Sequence, residues 1–336
     1  MESFLRCLPK VELHVHVEGT MEPELYFEIA KRNNITNPFA DVNTLKQAYE
    51  NVTDLKSFLD LLGKVSNVLV TSEDFYDLTW TYLQRAAADN VRHCEMFHNV
   101  HAHSSRGVSL YDQFDGLSRA CNKAEKELNM TTGIIISFMR DKTEQSALEI
   151  FEKALEYRRY FVGIGLESNE INNPPSKFIQ LYRKAHEMGL HCVAHAGEEG
   201  PAAYVEESFE VLKVERIDHG IHCMDDPLLL KKIGQSQIVF TVCPLSNLKL
   251  NIVKTIDDLP IKLFLENQVK ITINSDDPAY FGGYILANFH IIQNTFHLSM
   301  EDWSQLTKNA INGAFISNER RQDLIKELII VSENHK

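Results

Sequence analysis

Short runs of β-branched and apolar residues recur along the chain, and a longer segment with helical periodicity follows each run. This alternation is typical of a parallel sheet built from strand and helix units. Eight such runs occur, at 11–16, 91–97, 133–139, 161–167, 191–196, 215–219, 238–243 and 270–275. Eight parallel strands predict an α/β fold closed into a (β/α)₈ TIM barrel, with an open sheet as the alternative.

The connection after the first run, residues 17–90, is unusually long and contains at least three helical patterns. One of them is expected to have Ser72 as its N-cap and carries Phe75, Leu78 and Tyr82 at core-facing spacing. We therefore expect a helical insertion after the first strand that caps one mouth of the barrel. Two more helices are expected between about 301 and 333. Since no linker or repeat interrupts the chain, residues 1–336 are predicted to form a single domain.

The composition restricts the partners of the chain. Its 336 residues are 44% hydrophobic, enough for one large core. With 47 acidic and 34 basic side chains the net charge is -13, which argues against a nucleic-acid partner. No apolar stretch reaches the length of a signal peptide or membrane span, so we expect a cytoplasmic protein that does not bind membranes. The six cysteines form no C-x-x-C pair and are expected to be reduced.

The first run contains two histidines in an H-x-H pair. His14 and His16 alternate with the apolar residues Leu13, Val15 and Val17, so a strand would direct both imidazoles to one face, close enough to share a metal ion. The pair alone is a weak signal, because two polar positions on a half-buried strand would look the same.

The position of other polar residues strengthens the metal hypothesis. His195, His219, Asp276 and Asp277 lie at or just after the ends of different predicted strands, and these ends converge on one mouth of a barrel. Three imidazoles and a carboxylate would hold one divalent cation per chain and leave a position for water. Zn²⁺ is the leading candidate and Fe²⁺ the alternative. We assign Asp276 to the metal and Asp277 to the substrate, because adjacent carboxylates leave a strand end in different directions.

Two further residues are candidates for acid and base chemistry. Glu198 follows His195 by three residues in HAGEEG and would face the same cavity as an acid. The alternative is a carboxylate in the first turn of a helix, for which Glu199 is an equal candidate. For His219 the alternative is a core histidine that donates to a backbone carbonyl. The H-x-E and P-C-x-x-C signature of cysteine-containing deaminases is absent, so the metal site must be of the His/Asp kind.

Several long motifs occur together and in order: PKVELHVHVEGT, HAGEEGP, RIDHG, TVCPLSNLKL and TINSDDPAYFGGY. From Pro9 to at least Tyr284 the chain resembles the adenosine/adenine deaminase family of the amidohydrolase superfamily. The segments CPLSNLKL, SDDPAYFGGY and FLRCLPKVELHVHVEGTMEP are similar to the adenine deaminase branch of that family.

This resemblance implies a purine aminohydrolase of the salvage pathways with a defined set of site residues. It implies metal ligands at His14, His16, His195 and Asp276, a proton donor at Glu198, His219 beside the metal-bound water, and Asp277 against the purine. His219 and the metal would activate water for attack on purine C6 while Glu198 protonates N1. Ammonia would then leave, and adenine would become hypoxanthine.

The chain departs from the branch at two strand ends that face the presumed pocket. Gly-Leu-Glu-Ser, with Glu167 and Ser168, stands where the branch has Gly-Leu-Asp-Ser. We assign both residues to substrate binding and expect Glu167 to accept a hydrogen bond from N9–H of a free purine. The alternative is that Glu167 points to solvent or pairs with a loop residue such as Lys177.

The second departure lies after the second strand, where residues 97–103 replace Phe/Tyr-Asp-Pro-Gln-x-His. Its three histidines, His98, His101 and His103, are expected to form a hydrogen-bonded loop, with a second metal site as the less favoured alternative.

Other substrates and one other class of function stay open at this point. An N6-substituted adenine such as a cytokinin base, or adenosine, would keep the chemistry. A nucleotide is disfavoured because no phosphate-binding glycine loop is present. A non-catalytic purine-binding or zinc-binding protein is a remote alternative, since such a protein would be expected to have lost Glu198, His219 or a ligand. A homo-oligomer is left open.

Overall fold

The computed structural model describes residues 1–335. Eight strands form one sheet in sequence order, and each pairs in parallel with the next. The strands are β1 (Lys10–His16), β2 (Val91–His98), β3 (Thr131–Met139), β4 (Gly163–Glu167), β5 (His191–Ala196), β6 (Arg216–His219), β7 (Val239–Val242) and β8 (Lys270–Ile273). The predicted TIM barrel is confirmed.

The barrel closes through the segment that follows β8. The backbone N–H of Asp276 donates to the carbonyl of His14, and the N–H of His16 donates to the carbonyl of Asp276, both at 2.9 Å. The side-chain oxygen of Asn274 accepts the N–H of Leu13, also at 2.9 Å. The ring of strands is thus completed by residues that also carry the candidate site.

Helices surround the sheet and follow the strands. They are α1 (Glu2–Cys7), α2 (Pro23–Arg32), α3 (Val42–Glu50), α4 (Leu55–Ser66), α5 (Ser72–Ala88), α6 (Val100–Ser105), α7 (Leu110–Glu127), α8 (Glu144–Ala154), α9 (Ile179–Glu187), α10 (Ala202–Glu210), α11 (Pro227–Gln235), α12 (Pro244–Lys249), α13 (Ile261–Glu266), α14 (Pro278–Phe281), α15 (Ile285–Phe296), α16 (Met300–Gly313) and α17 (Asn318–Asn334). The two predicted C-terminal helices correspond to α16 and α17. Within residues 1–335 no helix has the length and apolar character needed to cross a membrane.

The predicted insertion between β1 and β2 holds a 3₁₀ turn, Glu18–Thr20, and the four helices α2 to α5. The expected N-cap of α5 is wrong by one residue. Thr71 is extended and caps the helix, so Ser72 is its first helical residue. The reason is Asp74, whose carboxylate accepts the backbone N–H of Thr71 at 2.8 Å and of Val70 at 3.0 Å.

Side chains alternate across the strands, so one set packs against the helices and the other fills the barrel. Phe97, Ile135 and Val193 form a small apolar cluster of their own, separate from the large core between sheet and helices. The barrel also holds an ion pair between two fully buried side chains, in which Arg216 Nη1 donates to Glu95 Oε2 at 2.5 Å.

Candidate metal and substrate site

The histidines of β1 lie inside the barrel beside the ends of β5 and β8. Asp276 Oδ1 lies 3.3 Å from Nε2 of His14 and 3.3 Å from Nε2 of His16. His16 Nε2 lies 3.1 Å from His195 Nε2. One ligand atom from each of these four buried residues falls within 4.8 Å of the others. The structure thus brings together the four residues that the sequence predicts as metal ligands.

The donor set fits a divalent cation. Thr241 Oγ1 donates to Asp218 Oδ1 at 2.9 Å and therefore accepts from His14 Nδ1, which lies 2.8 Å away. With its proton on Nδ1, His14 presents the lone pair of Nε2 to the cluster, and this buried atom has no hydrogen-bond partner within residues 1–335. Three imidazole nitrogens and one carboxylate oxygen are ligands that zinc and related ions take in proteins.

Each of the other two histidines has a carboxylate behind it. His195 Nδ1 lies 3.5 Å from Asp218 Oδ2, and His16 Nδ1 lies 3.1 Å from Glu167 Oε2. Carboxylates in such positions fix the tautomer and orientation of a ligating ring. Asp218 was missed in the sequence, although it precedes His219 in RIDHG and shares the inward alternation of Arg216 on β6.

The carboxylate of Glu167 has two partners in the protein. Besides His16 Nδ1, it contacts the amide of Asn99, which donates to Oε1 at 2.5 Å. Of the alternative, the pairing with a loop residue is found, although the residue is Asn99, between β2 and α6, and not Lys177; exposure to solvent is not found. Glu167 is only 7% exposed, and Lys177 instead donates to the backbone carbonyl of Arg140 at 2.9 Å.

Three of the predicted site residues have a left-handed backbone that is uncommon outside glycine. The φ angles are 82° at Ser168, 65° at His219 and 65° at Asp276. All three follow or end a strand at the same mouth. Strained backbone of this kind persists where the surrounding structure holds it, and it concentrates at functional sites.

Glu198 and His219 face each other beside the ligand cluster. His219 Nε2 lies 3.6 Å from Glu198 Oε2 and 3.9 Å from Asp276 Oδ2. Burial, together with the charges of Asp276 and Glu170, raises the pKa of the Glu198 carboxyl well above its usual range. Burial, with the nearby His14, lowers the pKa of His219 well below its usual range. The two shifts favour the protonated form of the Glu198 carboxyl and the neutral form of the His219 imidazole.

The alternative roles of this pair do not match the structure. His219 Nδ1 is buried without a hydrogen-bond partner among the described residues, so it is not a core histidine that donates to a backbone carbonyl. Helix α10 begins only at Ala202, so neither Glu198 nor Glu199 lies in its first turn.

The site opens into a cavity whose empty volume, which includes space open to solvent, is about 380 Å³. Its polar wall consists of His16, Glu167, Ser168, His195, Glu198, His219, Asp276 and Asp277. Its apolar wall consists of Leu55, Phe58, Leu59 and Leu62 of α4 with Leu250 and Phe281. Burial, with Asp276 beside it, raises the pKa of Asp277, although the charge of His16 opposes this. A partly open cavity with one polar and one apolar wall suits a small planar ligand.

Two of the three histidines after β2 belong to a separate buried cluster around Glu18. Oε1 of Glu18 lies 2.9 Å from His98 Nδ1 and 2.7 Å from His103 Nε2. The remaining ring nitrogens face Gln113 Oε1, at 3.0 Å from His98 Nε2, and Arg106 Nη2, at 2.6 Å from His103 Nδ1. Every ring nitrogen of His98 and His103 has a partner among the described residues, as the expected hydrogen-bonded arrangement requires. One ligand atom each from Glu18, His98 and His103 also lies within 4.8 Å of the others, so a second metal site stays the less favoured alternative. His101 is apart from it, with Nε2 3.4 Å from the Ser146 hydroxyl.

Comparison with known proteins places this site in a family. The adenosine deaminase family model matches residues 9–331. The chain is 46% identical over 326 residues to an adenine deaminase of Acinetobacter baylyi, covering 97% of this chain and 98% of that protein. It is 43% identical over 335 residues to an adenine deaminase of Hahella chejuensis, covering 100% of both.

Solved structures agree with these relatives. The crystal structure of an adenine deaminase from Arthrobacter aurescens superposes with a TM-score of 0.95 at 44% identity, covering 97% of this chain and 99% of that one. An amidohydrolase from Burkholderia ambifaria with bound zinc superposes with a TM-score of 0.90 at 26% identity, covering 99% and 94%. The chain belongs to the adenosine deaminase family.

Proposed function

We propose that this chain is an adenine deaminase, which hydrolyses adenine to hypoxanthine and ammonia in purine salvage. The observation that carries the proposal is that the four candidate metal ligands lie beside Glu198 and His219, whose Oε2 and Nε2 atoms are 3.6 Å apart. Burial raises the pKa of Glu198 and lowers the pKa of His219, as an acid and a base in these roles require. The similarity to adenine deaminases over nearly the whole chain supports adenine as the substrate.

One divalent cation would be held by His14, His16, His195 and Asp276. We propose Zn²⁺, because three imidazoles and one carboxylate suit this ion and a homologue binds zinc, with Fe²⁺ as the alternative. When bound, such a cation supplies a water molecule whose pKa is low enough to act as a nucleophile at neutral pH.

The residues of the chain move the protons. Neutral His219 accepts a proton at Nε2 from the attacking water. Glu198 donates its carboxyl proton to purine N1, which withdraws electron density from the ring and favours attack at C6. Because Glu198 Oε2 and His219 Nε2 are 3.6 Å apart, both groups act at the same edge of the purine. The N6 amino group then takes the proton held by His219 and leaves as ammonia. The C6 hydroxyl returns a proton to Glu198, which leaves the 6-oxo purine and restores both side chains.

Asp277, Glu167 and Ser168 are proposed to bind the purine. Asp277 and Glu167 line the cavity with Glu198 and Asp276, and no lysine or arginine of the described chain joins them there. A phosphate group would meet several carboxylates and no positive side chain, which disfavours nucleotides. The apolar wall from α4 would cover the faces of the ring.

We also propose that residues 1–336 are one catalytic domain that works in the cytoplasm. The continuous barrel supports the single domain. The six free cysteines among the described residues suit a reducing compartment. We propose no nucleic-acid partner, in agreement with the net charge of -13.

The test is ammonia release from a panel of adenine, N6-substituted adenines, adenosine and AMP, with bound metal quantified on the same sample. We expect adenine to have the highest kcat/KM. Glu198→Gln should lower kcat about 10²-fold or more and retain the metal, because it removes a positioned general acid. The matched control is Glu199→Gln, whose side chain is half-buried and outside the cavity lining. Near-wild-type kcat in Glu198→Gln would remove Glu198 from the mechanism.

A further inference from the structure

One buried carboxylate holds the loop that carries Glu198. Glu170, which is 1% exposed, accepts the backbone N–H of Gly197 on Oε1 at 2.7 Å. Its Oε2 accepts the N–H groups of Glu198, Glu199 and Gly200 at 2.9, 2.9 and 2.8 Å. Four successive amide groups thus converge on one carboxylate, and bonds of this charge-assisted kind are among the stronger hydrogen bonds in proteins.

The sequence HAGEEG suits this arrangement. Gly197 has a φ of 69°, a left-handed conformation that costs glycine little. At Gly200 a Cβ would lie 2.7 Å from Cδ of Glu170, so any larger residue would displace the carboxylate. The two glycines allow the backbone to wrap closely around Glu170.

A buried arginine balances this carboxylate and extends the contact to a predicted metal ligand. Arg140 is fully buried, and its Nη1 lies 3.7 Å from Glu170 Oε1. The same nitrogen donates to the backbone carbonyl of His195 at 2.6 Å. Arg140 follows β3, Glu170 follows β4 and His195 belongs to β5, so one ion pair ties three neighbouring strand ends together.

We propose that Glu170 is a positioning residue for the proton donor: by holding the backbone of Gly197–Gly200, it aims the Glu198 carboxyl at the cavity and at His219. The inference rests on the proposed role of Glu198. Glu170 does not line the cavity, so it acts through the loop and not on the purine. A displacement of an acid by about 1 Å can cost on the order of 10²-fold in rate, which makes the position of this loop a catalytic requirement.

The test is a double-mutant cycle on kcat with adenine. Glu170→Gln keeps the shape of the side chain, but its amide group must face at least one of the four N–H donors. We expect kcat to fall on the order of 10- to 10²-fold, with the metal content unchanged, and KM to change far less. In a Glu198→Gln background the same substitution should change kcat by less than about twofold, because the group being positioned is already gone.

Hydrogen exchange gives a second readout that is independent of activity. The amides of Gly197–Gly200 should exchange faster in Glu170→Gln than in the wild type. The matched control is Glu144→Gln: Glu144 Oε1 accepts the N–H groups of Gln180 at 2.6 Å and Leu181 at 3.1 Å, far along the chain from the loop. Glu144→Gln should speed exchange only at the amides of Gln180 and Leu181 and should leave kcat unchanged.

The outcomes separate the two hypotheses. If Glu198→Gln alone keeps kcat, the proton-donor role is wrong. If kcat falls in Glu198→Gln but not in Glu170→Gln, Glu170 has no positioning role and the proposed function stands. The same conclusion follows if the two decreases in kcat multiply in the double variant. Should Glu170→Gln not fold, Glu170→Asp takes its place in the same cycle with the same criteria, since it keeps the charge but is one methylene shorter.

Discussion

Oε2 of Glu167 lies 3.1 Å from Nδ1 of His16, on the side of the imidazole opposite the ligand cluster. We predict that Glu167→Ala lowers metal affinity about 10- to 100-fold, because the ring of His16 loses the carboxylate that orients it. Titration of the apoprotein against a metal-buffering chelator measures this. Ser168→Ala, at the neighbouring position in the same cavity wall, is the control and should bind metal as the wild type does. Unchanged affinity in Glu167→Ala would contradict the prediction.

The same side chain is predicted to read the N9–H group of a free purine. With metal saturating, Glu167→Ala should lower kcat/KM for adenine more than for adenosine, because ribose on N9 leaves no hydrogen to donate. A carboxylate that already contacts His16 and Asn99 has acceptor capacity left for one more bond. The measurement is the ratio of the two kcat/KM values. An identical ratio in wild type and variant would show that Glu167 does not read N9.

His16→Ala is expected to remove both metal and activity, since it deletes one of four ligands. Elemental analysis should give about one divalent metal per wild-type chain and almost none in the variant. His101→Ala is the matched control, because this buried histidine belongs neither to the ligand set nor to the Glu18 cluster. Full activity in protein shown to be free of metal would refute the metal hypothesis.

Gly19→Ala should damage substrate binding without removing the metal. A Cβ at this position would overlap the Asp277 carboxylate and lie 2.5 Å from its Cγ. We expect the carboxylate to be displaced and kcat/KM for adenine to fall on the order of 10-fold or more. Gly63→Ala is the control: nothing lies within 4 Å of its added Cβ. Steady-state kinetics with adenine and metal analysis are carried out on both variants. An unchanged kcat/KM in Gly19→Ala would contradict the prediction.

The Glu95 and Arg216 pair should contribute to the acid sensitivity of the fold. Burial alone would raise the pKa of Glu95, but the Arg216 charge and His93 lower it from 4.5 to about 2. Since the folded-state pKa is depressed, the stabilisation is present above about pH 4.5 and is lost as the pH falls toward 2. Glu95→Gln should weaken this loss, which acid titration of the unfolding free energy would reveal.

At neutral pH, Glu95→Gln should lower the free energy of unfolding by about 3 kcal/mol, the lower end of the range for a broken buried pair. Arg216 loses its nearest counter-charge but keeps Asp218, whose Oδ1 lies 3.7 Å from Arg216 Nε. Urea denaturation measures this. The control is Glu327→Gln, which breaks the partly exposed pair with Arg92 and should cost about 0–1 kcal/mol. If Glu95→Gln and Glu327→Gln lower the free energy of unfolding equally, burial does not strengthen the contribution of the Glu95 and Arg216 pair to stability.

The strands were predictable from local periodicity, and the proposed ligand set from periodicity together with the resemblance to the adenosine/adenine deaminase family. Alternation on β1 placed His14 and His16 on one face, and the convergence of strand ends brought His195 and Asp276 to them. The helical insertion was predictable from the length of one connection. Its N-cap was not, because two adjacent residues, Thr71 and Ser72, are both good caps and Asp74 decides between them.

The supporting residues could not be predicted, because their contacts join segments far apart in the chain. Glu170 binds amides 27 to 30 residues away, and Asp218 contacts His14 through Thr241 on another strand. The left-handed backbone at His219 and Asp276 likewise depends on hydrogen bonds between strand ends rather than on residue type. Periodicity carries no information about such contacts.

The proposed metal ligands and proton carriers lie on strands of the barrel or just after them, while Leu55, Phe58, Leu59 and Leu62 of the inserted helix α4 line the cavity from outside the barrel. The proposed catalytic residues and the residues that cover the cavity thus lie on different parts of the chain, so one set can be substituted without changing the other. Replacing these side chains with smaller ones would widen the cavity without altering a ligand. A protein with this architecture can therefore evolve to accept bulkier purines through substitutions on α4 alone, while its proposed catalytic residues stay the same.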